Sequence, residues 1–366
     1  MPILIGSFYF AYFSIVAVYV IFMPKVFSMV GYSPSEIGII FASAPLVRFI
    51  IPFLFLKGLK LNSTTFNLAL LFIFIAALSF YKSIESFWPL LLSNVAMGIG
   101  MSLILPYIEV IALSLIGKES YGKVRLFGSI GFILVALVLV RYLDAPLMAL
   151  HFLMAIVSAT IIIAYITSYL DTKHTQVSSE THTTISLLKH WPIWLGMMLM
   201  QVSFGPFYNF FTIYETNLGI SLETTIYLWS AGVVAEIILF YFQGPLLKRN
   251  LLLVMQVAIF ITTFRWLLTY LFAQELPIIF FAQSLHAFSF ALFHTAAISY
   301  LYEIYSKSKL VQQFFSGISY GLGAFIGAVS SGYIYEWWPN QLFLYAALIA
   351  ALSLLTIRLG SKLPTN

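Results

Sequence analysis

The stretch LWSAGVVAEIILF, residues 228–240, holds one charged side chain, Glu236, among apolar and small neighbours. It lies inside a longer apolar segment, residues 222–246, and about 20 such residues are enough for an α-helix to cross the hydrocarbon core of a bilayer. An ionisable group at that depth costs about 3 kcal/mol on insertion scales, so it usually faces a partner, a cavity or a transport path. The stretch therefore predicts a membrane-spanning helix with a functional carboxylate.

The rest of the chain has the same character. Of its 366 residues, 61% are hydrophobic and only 8% are charged, against about 25% charged residues in soluble domains. The apolar runs are continuous, whereas barrel strands alternate over about ten residues. The sequence thus predicts an all-α polytopic membrane protein with twelve transmembrane helices. These cover residues 3–23, 36–57, 64–81, 87–116, 124–142, 147–170, 191–213, 222–246, 250–272, 276–304, 311–335 and 341–359.

Basic loop residues predict the orientation. Twelve Lys and Arg residues fall on one side of the membrane, and only Lys25, Lys82 and Arg141 fall on the other. Because short loops rich in Lys and Arg stay in the cytoplasm, we expect both termini to be cytoplasmic in a multi-pass protein of the cell inner (cytoplasmic) membrane. This pattern also accounts for the pI near 9.1 without a nucleic-acid partner. The first apolar stretch has no cleavage site and predicts a retained helix rather than a signal peptide.

A polar linker, residues 171–190, separates an N-terminal half, residues 1–170, from a C-terminal half, residues 191–366. A shift of 188 residues places helix boundaries on helix boundaries, Ser33 on Ser221 and Arg48 on Glu236. Parallel repeats of this kind characterise transporters that bind cargo between two rocking halves. We therefore expect a small-molecule substrate and a monomer, since one chain contains both halves.

No metal or cofactor is expected. The chain has no cysteine, which excludes disulfides and thiolate metal sites. The three histidines of the linker match no ligand spacing for zinc, so they are interpreted as solvated residues: His174, His182 and His190.

Several motifs resemble those of one transporter family. YGKVRLFGSIG, residues 121–131, is similar to the start of the fifth helix in the phenylpropionate permease group of the major facilitator superfamily. LWSAGVVAEIILF resembles the eighth helix of that group, FRW at residues 264–266 resembles its ninth, and the run over residues 283–297 resembles its tenth. The group is related to lactose permease and to nucleoside proton symporters.

This resemblance implies the major facilitator fold and a proton-coupled secondary active transporter that works by alternating access. It favours symport of a small organic molecule, with an aromatic or other organic acid as the first cargo to try. One departure concerns the usual motif after the second helix, which is reduced to KGLKLN at residues 57–62. We therefore expect Arg125 and its neighbours to contribute more to the inner gate.

Glu236 is the leading candidate for proton coupling. Desolvation favours the neutral form of a lone carboxylate at this depth, which suits the group to load and release a proton near physiological pH. The alternative is a permanently ionised partner in a structural ion pair. Arg265 and Arg48 are the candidate partners, because arginine stays protonated and can neutralise the carboxylate of Glu236 or of the cargo. For Arg48, packing and charge balance is an equal alternative.

Glu109 and Arg125 form a second candidate pair. They lie near the inner ends of the fourth and fifth predicted helices, which a short cytoplasmic turn connects, so the two side chains can meet. In lactose permease a Glu and an Arg of the same two helices contact the sugar, but here the Glu lies two residues nearer the Arg. Cargo binding and an inner-gate salt bridge both remain open for this pair.

Two histidines of the predicted tenth helix, His286 and His294, are eight residues apart. At about 100° per residue they differ by some 80° in azimuth and two turns in depth, so they can face one cavity but cannot share a metal ion. Either they are hydrogen-bonding residues of the packed helix, or they act in transport. For the second case we assign His294 to proton coupling and His286 to cargo binding.

Two other classes of function are weighed against transport by symport. A polytopic membrane enzyme acting on a lipid-soluble substrate needs an acidic metal cluster or an activated nucleophile. The 13 acidic residues contain no paired Asp motif, which disfavours that class. An uncoupled facilitator or efflux carrier, or a passive channel, is the second alternative, in which the same charges gate instead of coupling.

Overall fold

The computed structural model describes residues 2–170, 187–305 and 309–360, and every regular element in these ranges is helical. Eleven helices of the described residues are long and apolar enough to cross a membrane. A twelfth segment, α7, is broken into two shorter helices. The helices are α1 (Pro2–Val30), α2 (Pro34–Leu56), α3 (Ser63–Ser83), α4 (Phe87–Ile116), α5 (Tyr121–Leu139), α6 (Pro146–Tyr169), α7a (Trp191–Ser203), α7b (Gly205–Asn217), α8 (Leu222–Phe242), α9 (Leu251–Leu271), α10 (Leu276–Tyr305), α11 (Leu310–Trp337) and α12 (Pro339–Gly360). The prediction of an all-α fold with twelve apolar segments is confirmed.

The break in α7 follows from its sequence. Pro206 has no N–H to donate to the carbonyl of Val202, and its ring opposes a continuous helix at that point. The helix therefore stops at Ser203 and restarts at Gly205. It then continues to Asn217, four residues past the predicted end.

The connection between α4 and α5 is helical, where a turn was predicted. Helical backbone runs without interruption from Phe87 to Leu139. Yet the hydroxyl of Tyr121 donates a hydrogen bond of 3.1 Å to Glu109, although 12 residues of straight helix would separate them by about 18 Å. The helical backbone therefore bends sharply between these residues, which brings side chains of α4 and α5 together.

Contacts within the chain define two compact units, Met1–Ser178 and Ser179–Asn366. The repeat is visible at equivalent helix starts. Ser33 caps α2 and accepts a hydrogen bond from the Glu36 N–H, and Ser221 caps α8 in the same way. Both devices satisfy backbone donors that a helix leaves unpaired at its first turn.

Of the predicted linker, residues 171–190, the structure describes only residues 187–190. Residues 171–186, with His174 and His182, lie outside the described residues, so the predicted domain boundaries stay a prediction. His190 is described and is not a solvated residue, because it is only 5% exposed. Its Nδ1 lies 2.9 Å from the Tyr305 hydroxyl, and burial together with the Lys189 charge lowers its pKa.

Within the second unit, α7 and α11 approach each other through glycines. A Cβ atom on Gly327 would lie 2.8 Å from the carbonyl oxygen of Val202 and 3.2 Å from the Cα of Gly205. Glycine at this position therefore lets the two backbones touch at the α7 break, as small residues do in membrane bundles. The contact fixes α7b, which supplies aromatic side chains to the site described below.

We expect Gly327→Ala to destabilise the protein, by about 1–3 kcal/mol for overpacking, although alanine has the higher helix propensity. Gly122→Ala is the matched control, because a Cβ there meets no atom within 4 Å, and we expect it to be neutral or slightly stabilising. The apparent melting temperatures of the purified variants in detergent check this. Equal melting temperatures would contradict the packing argument.

Candidate functional site

The best-defined polar cluster of the second unit is centred on Arg265, which α9 holds fully buried. Its Nη1 lies 3.0 Å from the Nδ1 of His286, and its Nη2 donates to the Gln283 Oε1 at 2.7 Å. Both partners belong to α10 and are three residues apart, so they share one face of that helix. The planar fork of the guanidinium thus holds two side chains of α10 in fixed positions.

Aromatic rings surround the Arg265 charge. The guanidinium carbon lies 4.2 Å from the ring centroid of Trp266, 4.5 Å from that of Phe207 and 5.8 Å from that of Phe204. A desolvated cation over such a ring gains about 2 kcal/mol. These faces offset part of the cost of removing the charge from water, so the Phe residues of α7 support the site as well as packing.

The hydrogen bond to Arg265 determines the tautomer of His286. Arginine has donors and no acceptor, so the Nδ1 of His286 must accept and the ring proton sits on Nε2. That nitrogen lies 3.6 Å from the Glu236 Oε2, which is too long for a direct hydrogen bond. His286 therefore lies between Arg265 and Glu236 and directs its N–H toward the carboxylate.

α8 packs against α10 at Gly232, and a Cβ atom at this position would fit in ordinary van der Waals contact. A Cβ atom there would lie 3.4 Å from both the Gln283 carbonyl oxygen and the His286 Cβ. Gly232 is one turn before Glu236 on α8, so both residues lie on the face of α8 that packs against α10. The side chain of Glu236 is 15% exposed and that of His286 is 8% exposed. Glu236 is thus the most accessible group of the cluster that includes Arg265.

His294 has different contacts. Its Nδ1 lies 2.7 Å from the hydroxyl of Tyr320 on α11. The Phe290 ring stacks on His286 on one side, with an interplanar angle of 4°, and on His294 on the other. Residues 287–292 form a π-helical turn, so the rotation assumed for an uninterrupted α-helix does not hold here, and both histidines lie on one aromatic stack.

The first unit has its own candidate site on α4 and α5. The Nε of Arg125 lies 3.9 Å from the Glu109 Oε1, and about 30% of each side chain is exposed. The Arg125 guanidinium lies 4.0 Å from the Phe13 ring centroid and 5.1 Å from that of Tyr9. The predicted pair therefore exists as a loose contact against two aromatic rings of α1.

Arg48 is half-buried on α2 of the first unit. Its side chain makes no hydrogen bond or ion pair with the residues that the structure describes. The prediction that it contacts cargo therefore stays a prediction, as does its alternative role in charge balance.

Sequence reasoning missed several members of these sites. Gln283, which bonds Arg265, and Tyr121, which bonds Glu109, lie within two of the sequence motifs but were not predicted as site residues. Their positions within these motifs are the sequence feature that could have identified them as site residues. The predicted seventh helix ends at residue 213, before Glu215. That end is wrong: α7b extends to include Glu215, whose exposed fraction is 0%.

Residues 3–346 match the family described as the MFS_1 like family. The chain belongs to this family. It is therefore a multi-pass membrane transporter of small organic molecules and not an enzyme, which sets aside the alternative of a lipid-acting enzyme.

Two curated relatives support this membership. The chain is 25% identical over 359 residues, 93% of each chain, to the probable 3-phenylpropionic acid transporter of Escherichia coli (strain K12). It is 25% identical over 323 residues to the uncharacterized transporter YwbF of Bacillus subtilis (strain 168), with 83% of this chain and 79% of that one covered. The resemblance to the phenylpropionate permease group is confirmed.

Solved structures share the fold. The nucleoside transporter NupG matches with a TM-score of 0.77 at 14% identity, covering 99% of this chain and 99% of that one. The E. coli fucose:proton symporter FucP matches with a TM-score of 0.61 at 14% identity, covering 99% of this chain and 98% of that one. At such low identity these matches establish the major facilitator fold alone.

Arg265→Lys should reduce transport by about 10- to 100-fold, because an ammonium is a point charge that cannot reproduce the planar fork to His286 and Gln283. The loss of one hydrogen bond to a charged group corresponds to about 1.5–3 kcal/mol. Uptake by proteoliposomes measures the effect. Arg249→Lys, at an exposed position, is the matched control, and equal losses in both variants would contradict this role of the fork.

Proposed function

We propose that this protein is a proton-coupled symporter for a small organic acid, in which Glu236 carries the proton. The observation that supports it is the chain of contacts from Arg265 through His286 to Glu236. The name of the E. coli relative, which specifies an aromatic acid, favours an aromatic carboxylate as cargo. We further propose that it acts as a monomer in the cell inner membrane with both termini cytoplasmic.

Glu236 is the group of this cluster that can exchange a proton. Arg265 stays protonated at any working pH. A second proton on His286 would have to sit on Nδ1, where it would oppose the Nη1 donor of Arg265 at 3.0 Å. His286 therefore stays neutral while that contact lasts and acts as a positioning residue for the carboxylate.

Protonation of Glu236 changes the charge balance of the cluster. When Glu236 is ionised, its charge compensates that of Arg265. When it is protonated, a positive charge remains in an environment of low dielectric constant, where Coulomb interactions are strong. An anionic cargo then restores the balance, so proton and anion binding favour each other. Couplings of this kind are typically about 1–3 kcal/mol, or 5- to 150-fold in affinity.

Glu236→Gln mimics the protonated form permanently. We expect this variant to bind an aromatic acid with an affinity that no longer rises as the pH falls, and to lose substrate-induced proton uptake. The measurement is external pH in a lightly buffered suspension of de-energised, right-side-out vesicles during addition of aromatic acids, then nucleosides and sugars. Alkalinisation by the wild type, absent in the variant, is the expected result.

Glu275→Gln is the matched control, because Glu275 is exposed before the first turn of α10. Vesicles that contain this variant should show the same substrate-induced rise in external pH as the wild type. Accumulation of substrate against its gradient by Glu236→Gln would overturn the coupling role. Saturable uptake without any pH change in the wild type would instead favour the uncoupled facilitator.

For the first unit we propose that Arg125 binds the cargo carboxylate and that Glu109 orients it. The contact at 3.9 Å is loose, and both side chains are partly exposed, so the guanidinium keeps donors available for a second carboxylate. Arginine binds carboxylates through two parallel hydrogen bonds. An inner-gate salt bridge is the alternative that the same pair allows.

Affinity separates these two roles. If Arg125 binds cargo, Arg125→Lys should weaken cargo binding by at least about ten-fold, which corresponds to 1.4 kcal/mol. A gate residue would leave the dissociation constant unchanged and alter the rate of exchange across the membrane. Calorimetric titration of purified protein and counterflow in proteoliposomes give the two quantities, with Lys123→Arg as an exposed control on the same helix.

A further inference from the structure

Glu215 on α7b is a buried acid that the proposed transport mechanism does not use. Its exposed fraction is 0%, and neither carboxyl oxygen has a hydrogen-bond partner among the residues that the structure describes. A buried carboxyl group almost always has such a partner. Its isolation therefore calls for a physical explanation.

The backbone holds Glu215 at the end of its helix. Its carbonyl oxygen accepts a hydrogen bond of 3.1 Å from the Ile220 N–H, and the Gly219 N–H bonds to Thr216 at 3.2 Å. Gly219 has the left-handed conformation, with φ of 89°, which completes a Schellman motif. The side chain thus sits in the last turn, where the helix dipole disfavours a negative charge.

Tyrosines are the titratable groups that face Glu215. Tyr214 of its own helix and Tyr335 of α11 are within electrostatic range, and Tyr270 of α9 is within range of Tyr214. Asn217 donates to the Tyr335 hydroxyl at 2.9 Å.

α8, α9, α10, α11 and α12 all pack against α7b. Arg265 of α9 and His286 of α10 contact α7b at Phe207, eight residues before Glu215. Among the described residues, burial alone acts on the ionisation of Glu215.

An ionised Glu215 would be poorly tolerated in this position. Removing an unpaired carboxylate from water costs several kcal/mol even after relaxation, and no cation or hydrogen-bond donor of the described part of the chain offsets it. The neutral acid leaves only polar atoms unpaired, at about 1–3 kcal/mol. The packed end of α7b is therefore compatible with a protonated carboxyl group.

We propose that Glu215 is a second proton-binding site, which holds its proton while the end of α7b stays packed and releases it when water reaches the carboxyl. Packing of this end then takes up one proton. Low pH stabilises the packed form, and rising pH favours its opening. On the proposed topology this end of α7b faces the outside, so external pH acts on it. The site does not depend on the role of Glu236.

Infrared spectroscopy of the purified protein tests this directly. We expect a C=O stretching band of a protonated carboxylic acid at neutral pH that shifts in D₂O. The component of the band that belongs to Glu215 should be lost in Glu215→Gln, and it should be retained in Glu236→Gln and in the exposed control Glu275→Gln. An unchanged band in Glu215→Gln would overturn the proposal.

Thermal stability is the second readout. We expect the apparent melting temperature of the wild type to fall between pH 6 and pH 9 more steeply than that of Glu215→Gln, and the variant to be the more stable protein at pH 9. If Glu215→Gln does not fold, Glu215→Met supplies an uncharged side chain of similar length. Equal pH dependence in wild type and variant would show that Glu215 is ionised and solvated, and would overturn the site.

Discussion

The complete burial of the Arg265 charge is the constraint on which the site of the second unit depends. A guanidinium removed from water must be compensated by hydrogen bonds, by aromatic faces and by a counter-charge. Gln283 and His286 supply the first, Trp266 and Phe207 the second. Because these groups come from α7b, α9 and α10, one charge links three helices of the second unit.

The same arginine determines what its neighbours do chemically. Its donors leave the Nδ1 of His286 only as an acceptor, which directs the remaining N–H of that histidine at Glu236. The aromatic stack of His286, Phe290 and His294 then extends the polar cluster along α10 toward Tyr320 on α11. Because the hydrogen bond from Arg265 to His286 has a fixed direction, His286 is better suited to positioning the Glu236 carboxylate than to transferring protons.

Two helices that contribute to this site, α7 and α10, have irregular backbone near it. α7 breaks before Pro206, and the glycine contact with α11 holds the second half, α7b, in place. The π-helical turn over residues 287–292 lies between the two histidines of α10. Such turns are rare and are frequent at functional sites. The Schellman motif at Gly219 ends α7b and leaves the buried Glu215 in its last turn.

The sequence by itself determined the membrane class, the apolar segments and the polar residues inside them. Lipid offers no hydrogen bonds to the backbone, so each helix must satisfy its own groups, and hydropathy then reveals it locally. Only the tertiary structure decided that His286 lies beside Glu236, that helical backbone continues between α4 and α5, and that Glu215 is buried. These outcomes depend on the rotation, breaks and π-turns of helices packed against distant partners, and periodicity along one segment does not contain that information.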